Sequence, residues 1–211
     1  MPLFVVIEGV DRCGKSLQGE LLLGRILARG ARASLHTTPD YSSLAGKLAS
    51  GMLSGSLQLT SLFCGKKSPL DPLALECAAV CDRYVVASRV RESLLKGKHA
   101  VCVRWWQSAL VYGADDALDR EFILDACSSL PWPDLNVLLD VGVDDVRSRL
   151  DPGKRYESDP EQQRRLAGAY LDLWRQRGGS EGTDRWPVVN GSGNPDEVAA
   201  RIWEVVSRRL P

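Results

Sequence analysis

The chain has no excess of charge: 27 lysines and arginines balance 27 aspartates and glutamates. Without a net field, nothing favours partners such as nucleic acid or an anionic membrane. No apolar run approaches the roughly 20 residues that cross a bilayer, and there is no internal repeat or low-complexity tail. Histidine is scarce, with two in 211 residues, and none stands at metal-ligand spacing from Cys77 and Cys81. The six cysteines, at 13, 64, 77, 81, 102 and 127, are scattered. They read as free thiols of a reducing, cytoplasmic compartment, not as a disulfide frame or a zinc site. The apolar run at the N-terminus is short and lacks a basic flank, so it reads as a core strand.

Against these absences stands one dense motif, Gly9-Val10-Asp11-Arg12-Cys13-Gly14-Lys15-Ser16. Two glycines five apart, followed by Lys-Ser, fit a phosphate-binding loop. Apolar Leu3–Ile7 before it reads as a strand, and Leu17 to Ala28 after it reads as a helix. Glycines let the backbone approach a phosphate closely, and the helix N-terminus adds partial positive charge. In this pattern Lys15 reaches the β/γ-phosphates of a triphosphate and the Ser16 hydroxyl ligates Mg2+. Gly9, Cys13, Gly14, Lys15, Ser16 and Leu17 are therefore the expected triphosphate site.

Further short apolar segments bounded by turn residues mark strands at Ala33–His36, Ala100–Val103, Leu135–Asp140 and Pro187–Asn190. Helical patterns fall at 15–29, roughly 74–96, 118–128, 143–150, 159–176 and 195–209. Alternating strands and helices predict one α/β domain over 1–211: a P-loop three-layer sandwich, with a parallel five-stranded sheet and helices on both faces. Ligands of such sheets bind beyond the carboxyl ends of the strands. Residues 50–72 read as irregular. The charged, Pro/Gly-bounded stretch 151–160, with Lys154-Arg155-Tyr156 at its centre, reads as a closing lid or an exposed turn.

Several features together resemble the thymidylate kinase family of nucleoside monophosphate kinases. Ile7-Glu8-Gly9 through Ser16 is similar to that family's first strand and loop, and Gln18 follows as it often does there. Pro39-Asp40 falls on its Phe-Pro-Glu-Arg-like segment. Arg83 falls on its helix arginine, and Arg104-Trp105 on its Asp-Arg-Tyr/His segment, with Ser108 and Tyr112 following. Pro133-Asp134-Leu135 to Asp140 and Arg155-Tyr156-Glu157 complete the ordered set. The resemblance implies phosphoryl transfer from ATP, with Mg2+, to a nucleoside monophosphate, dTMP first, by a homodimer. It implies catalytic roles for Arg12, Lys15 and Arg104. It implies acceptor contacts from Asp11, Arg83, Arg104, Tyr112 and Tyr156. Arginines and a metal are what phosphoryl transfer requires, since the reaction is mostly positioning and charge neutralisation.

The chain departs from the family's pattern at named positions. Val103 replaces the aspartate before the arginine, removing a carboxylate near the metal. Thr38 and Tyr41 replace a phenylalanine and an arginine. Ala79 stands where a phenylalanine stacks on thymine, and Gly113 where glutamine is common. Trp105, Trp106, Tyr41 and Tyr112 supply aromatic surface instead, unless the tryptophans are core or dimer contacts. These departures leave two readings: a working dTMP kinase, or a catalytically weakened nucleotide-binding relative with a regulatory or partner-binding role.

Overall fold

Five parallel strands run in the order β2-β3-β1-β4-β5: β1 Phe4–Glu8, β2 Ala33–Thr37, β3 His99–Val103, β4 Leu135–Asp140 and β5 Val188–Asn190. The computed structural model describes residues 1–57, 71–142, 145–146, 156, 159–176 and 185–210. Seven helices belong to this described part: α1 Lys15–Ala28, α2 Leu44–Leu53, α3 Pro72–Leu95, α4 Trp106–Asp115, α5 Arg120–Cys127, α6 Pro160–Gln176 and α7 Pro195–Ser207. Every residue of β1 and β3 is buried, with no alternation. That pattern requires cover on both faces, as in parallel sheets generally. Helices α1 and α7 pack together, and α4 packs on α3, α5 and α6.

The five expected strands are present. Two helices were not anticipated. Helix α2 begins before the stretch expected to be irregular and runs into it. Helix α4 carries Ser108 and Tyr112 one turn apart on one face. The helix expected over 143–150 and the lid expected over 151–160 lie almost entirely outside the described residues; Tyr156 is the described part of the lid's centre. Trp105 and Trp106 belong to the core. Trp105 meets Phe4 edge-on at 5.4 Å, and Trp106 packs on Trp132 and Trp186. Gly113 lies so close to α5 that a Cβ there would sit 2.3 Å from Ile123 Cδ1, so a larger residue requires the Ile123 side chain to move.

The register sets the site. Ile7 pairs with Val103 and with Val137, and Thr37 pairs with Val103, so β1, β2 and β3 end at one level. The chain leaving each end is thereby brought together: the loop from Gly9, Thr38-Pro39 and Arg104.

Candidate active site

The phosphate loop is shaped by its glycines. Gly9 adopts φ 147°, and a Cβ there would meet Leu139 O at 2.7 Å. Gly14 adopts φ 97° as the N-cap of α1, a conformation that costs a side chain dearly. Gly14 offers α1 no side-chain cap. The other described helices all have one. Ser43, Asp71, Asp119 and Asn194 cap α2, α3, α5 and α7, and Asp159 accepts from Glu161 N at the start of α6. Helix α4 is capped from a distance, by Glu8, which accepts from Trp105 N at 2.7 Å and Ser108 N at 3.3 Å. Thus α1 presents open N–H donors to the loop, where an anion binds best.

Lys15 lies in this loop, buried, its ammonium donating to Val10 O and lying 3.6 Å from Cys13 Sγ. Burial, and next the Arg104 charge, push its pKa down. Both pressures favour an arriving phosphate, which would restore the compensating charge. Ser16 and Leu17 are exposed at the mouth, Cys13 is buried beneath it, and Arg12 is exposed with φ 58°. Arg12, Gly14, Lys15, Ser16, Leu17 and Val103 line an open mouth.

Beside it lies a second cleft, walled by α2 and α3 and by Tyr112 and Tyr156. Asp11, Thr38, Pro39, Tyr41 and Arg104 line both spaces, so the two lie side by side. Arg104, at φ 66°, is the centre of the junction. Positive φ in a residue with a side chain is uncommon and concentrates at functional sites. Its guanidinium pairs with Asp11 and donates to Tyr112 OH at 3.1 Å, Ser108 Oγ at 3.2 Å and Tyr170 OH at 3.3 Å. Tyr112 OH donates to Asp11 Oδ2 at 2.8 Å. Burial would raise the Asp11 pKa, but Arg104 and Lys15 outweigh it and hold the carboxyl below its usual value. Tyr156 packs edge-on against Tyr112 at 4.8 Å and donates to Asp116 Oδ2 at 2.5 Å.

Arg83 lies in the middle of α3. Its Nη1 donates to Glu76 Oε1 at 2.7 Å. The pair is buried and lines the cleft; it is not on a solvated helix face. Ala79 lies between them, facing the same cleft. All the expected acceptor residues are therefore brought together: Asp11, Arg83, Arg104, Tyr112 and Tyr156. Lys154 and Arg155 lie outside the described residues. Asp40 bonds Ser42 and Arg89 and lines neither space.

Sequence reasoning missed Tyr170. It is 1% exposed on α6, and its hydroxyl contacts Arg104, Ser108 and Glu8. One tyrosine among the apolar positions of an amphipathic helix carries no local sign of that role. Glu8, 0% exposed, is not a metal ligand in waiting: its two oxygens accept from Trp105 N, Ser108 N, Ser108 Oγ and Tyr170 OH. No cluster of three acidic, histidine or cysteine ligands occurs among the described residues.

The sheet order and the uncapped, lysine-bearing loop define a P-loop nucleotide-binding fold. A solved thymidylate kinase from Candida albicans has the same fold, with a TM-score of 0.79 over 99% of this chain and 92% of that one, at 22% identity. The family model for thymidylate kinase matches residues 7–202. Human thymidylate kinase is 32% identical over 196 residues, 92% of this chain and 84% of that protein. The Caenorhabditis elegans enzyme is 26% identical over 99% of this chain and 93% of its own length. The chain belongs to the thymidylate kinase family.

Proposed function

We propose that the protein transfers the γ-phosphoryl group of ATP to dTMP, giving dTDP and ADP, as one catalytic domain over 1–211. The observation that carries this is the adjacency of the two spaces. A loop built for a triphosphate meets, at Asp11 and Arg104, a cleft lined by Arg83, Tyr112 and Tyr156. In the reaction an oxygen of the dTMP 5′-phosphate attacks the γ-phosphorus. The bond from that phosphorus to the β–γ bridging oxygen breaks, and ADP leaves with the electron pair.

The backbone of Gly9, Cys13 and Gly14, with Ser16 and Leu17 at the start of α1, cradles the donor phosphates. Lys15 neutralises their β/γ charge. Arg12, at the tip of the loop, stabilises charge on the group in transfer as an arginine finger supplied in cis. Arg104 holds the acceptor phosphate in line, and Asp11 orients Arg104 and faces the sugar hydroxyl. Arg83 addresses the base. Tyr156 closes over the nucleotide, and the lid at 151–160 excludes water.

Mg2+ fits this site through the Ser16 hydroxyl and the donor phosphates, since the ion commonly takes few protein ligands and keeps several waters. Glu8 and Asp11 are engaged by other donors, and Val103 supplies no ligand. When bound, the ion neutralises phosphate charge.

Assay of ADP formation from ATP with each monophosphate in turn tests the proposal. dTMP should be the fastest acceptor and dUMP the second. Faster turnover of AMP, GMP or CMP would overturn it. Cytoplasmic residence and a homodimer belong to the same reading. Cys13, Cys77, Cys81, Cys102 and Cys127 are free thiols, which supports a reducing compartment, and no described helix is long and apolar enough to cross a membrane. Leu73, Cys77, Cys81 and Val85 recur every fourth residue along α3 and are exposed, giving a stripe that a second copy would cover. Light scattering should give twice the mass of the chain.

A further inference from the structure

Residues 76, 79 and 83 share one face of α3, because positions three, four and seven apart align on a helix. The face is turned to the acceptor cleft. Its composition is unusual: a carboxylate at one end, a methyl group in the middle and a guanidinium at the other end. Helical side chains lean toward the N-terminus, so Arg83 reaches back over Ala79 to Glu76. The contact is a single hydrogen bond of 2.7 Å from Nη1 to Oε1. Arg83 Nε is buried with no hydrogen-bond partner among the described residues. No further bond to Glu76 occurs among them either. Burial alone would lower the Arg83 pKa; the Glu76 charge and hydrogen bond, with the Cys127 and Glu8 charges, together turn the shift upward. A buried ion pair with donor and acceptor capacity left over is costly unless something completes it.

We propose that Glu76 is a specificity-determining residue of the acceptor site. Its carboxylate accepts the N3–H of a thymine or uracil ring, while Arg83 donates to the adjacent C4 carbonyl. This rests on the acceptor reading above and names the group that reads the ring. The pair presents an acceptor beside a donor, which is the complement of a carbonyl beside an N–H. Cytosine in the same pose turns a lone pair toward the carboxylate and an amino group toward the guanidinium. Both are repulsive, so the pair discriminates against cytosine as well as binding the imide. Ala79 contributes no ring to stack on, so edge recognition carries more of the selectivity.

The test compares dTMP with its N3-methyl analogue, in which the imide hydrogen is replaced while both carbonyls remain. Calorimetry is done with the whole protein, its Glu76→Ala variant and its Glu76→Gln variant. The parent should bind the analogue about 10- to 100-fold more weakly than dTMP, the size of one hydrogen bond to a charged group. Glu76→Ala should bind the two ligands equally. Glu76→Gln keeps the shape and can turn its amide, so it should narrow the preference for dTMP over dCMP by about tenfold. This arm stands alone if the alanine variant does not fold. Guanine carries the same carbonyl and N–H edge, and Glu76-dependent dGMP binding would support the same edge reading. Equal binding of dTMP and its analogue by the parent would overturn the role of Glu76. So would variants that weaken both ligands by one factor, which is the mark of a residue that only props Arg83. A parent that binds no dTMP would overturn the thymidylate reading itself.

Discussion

The two halves of the site are made from different materials. The triphosphate half is mostly backbone: two glycines at positive φ and the open N-terminus of α1, where six other helices carry caps. The acceptor half is mostly side chain, and its side chains already hold one another: Asp11 with Arg104 and Tyr112, Glu76 with Arg83, Tyr156 with Asp116. One half presents the uncapped N-terminus of a helix. The other must exchange internal partners for substrate. An acceptor site that trades partners can be selective.

The comparison breaks most visibly at Lys15. Lys15→Met should lower kcat by about a thousandfold, at the upper end for losing one preorganised charge donor. The melting temperature should stay level or rise, because the buried ammonium has no carboxylate within ion-pair distance among the described residues and so burdens the fold. A drop of many degrees would show that Lys15 holds the loop together. The opposite half is probed by Arg104→Lys, which keeps the charge and loses the planar fork. Here kcat/KM for dTMP should fall about a hundredfold while ATP affinity, measured by calorimetry, stays where it is. Parallel losses of both ligands would erase the distinction between the halves.

Val103 lies where the halves meet. It is 4% exposed, yet it lines the triphosphate mouth with Lys15 and Ser16, and its Cγ2 would lie 2.9 Å from a Cβ on Gly19 of α1. A carboxylate of similar size there would add a group near the metal, so Val103→Asp should raise turnover, or lower the Mg2+ requirement, by about tenfold. A large melting loss with no gain in rate would sink the idea that this position is a lost metal contact.

The smallest effect concerns the fold beneath both halves. Burial is the main cause that lowers the pKa of His36 and of His99, and His99 Nδ1 accepts from Leu3 N at 2.9 Å. A histidine depressed in the native state binds its proton more readily when unfolded. Stability is therefore full above about pH 6.5, the ordinary histidine value, and declines as pH falls below it. Melting curves from pH 7.5 to 5.5 should fall by a few degrees, and His99→Gln should flatten part of that slope. A melting temperature that rises on acidification would reverse the sign.

Much of this architecture was legible in the sequence, for reasons that also explain the gaps. Strands such as Phe4–Glu8 are buried on both faces and read as unbroken apolar runs. The phosphate loop is local, so its spacing carries its meaning. Helix α4 was not legible because its cap is not local: the carboxylate at its start comes from position 8, about a hundred residues away. Helix α2 contains Gly46 and Gly51 and follows a serine-rich turn, which argues for a loop until tertiary contacts decide. Ser43 both caps it and donates to buried Asp82, a bond that no local pattern announces. The arginines were found, and Glu76 or Asp82 was open as a partner for Arg83, but on a solvated helix face; that the pair is buried was not legible, and Tyr170 not at all.

The carboxylate of Glu8 has a consequence for how this sequence can change. It joins the strand that enters the phosphate loop to α4, which carries Ser108 and Tyr112, and to Tyr170 on α6. Four bonds on two oxygens make positions 8, 108 and 170 a single heritable unit. In a library of functional variants, a glutamine or alanine at 8 should survive only alongside replacements at 108 or 170 that withdraw the stranded hydroxyls. Substitutions at those three positions that accumulate independently of one another would show that each bond stands alone.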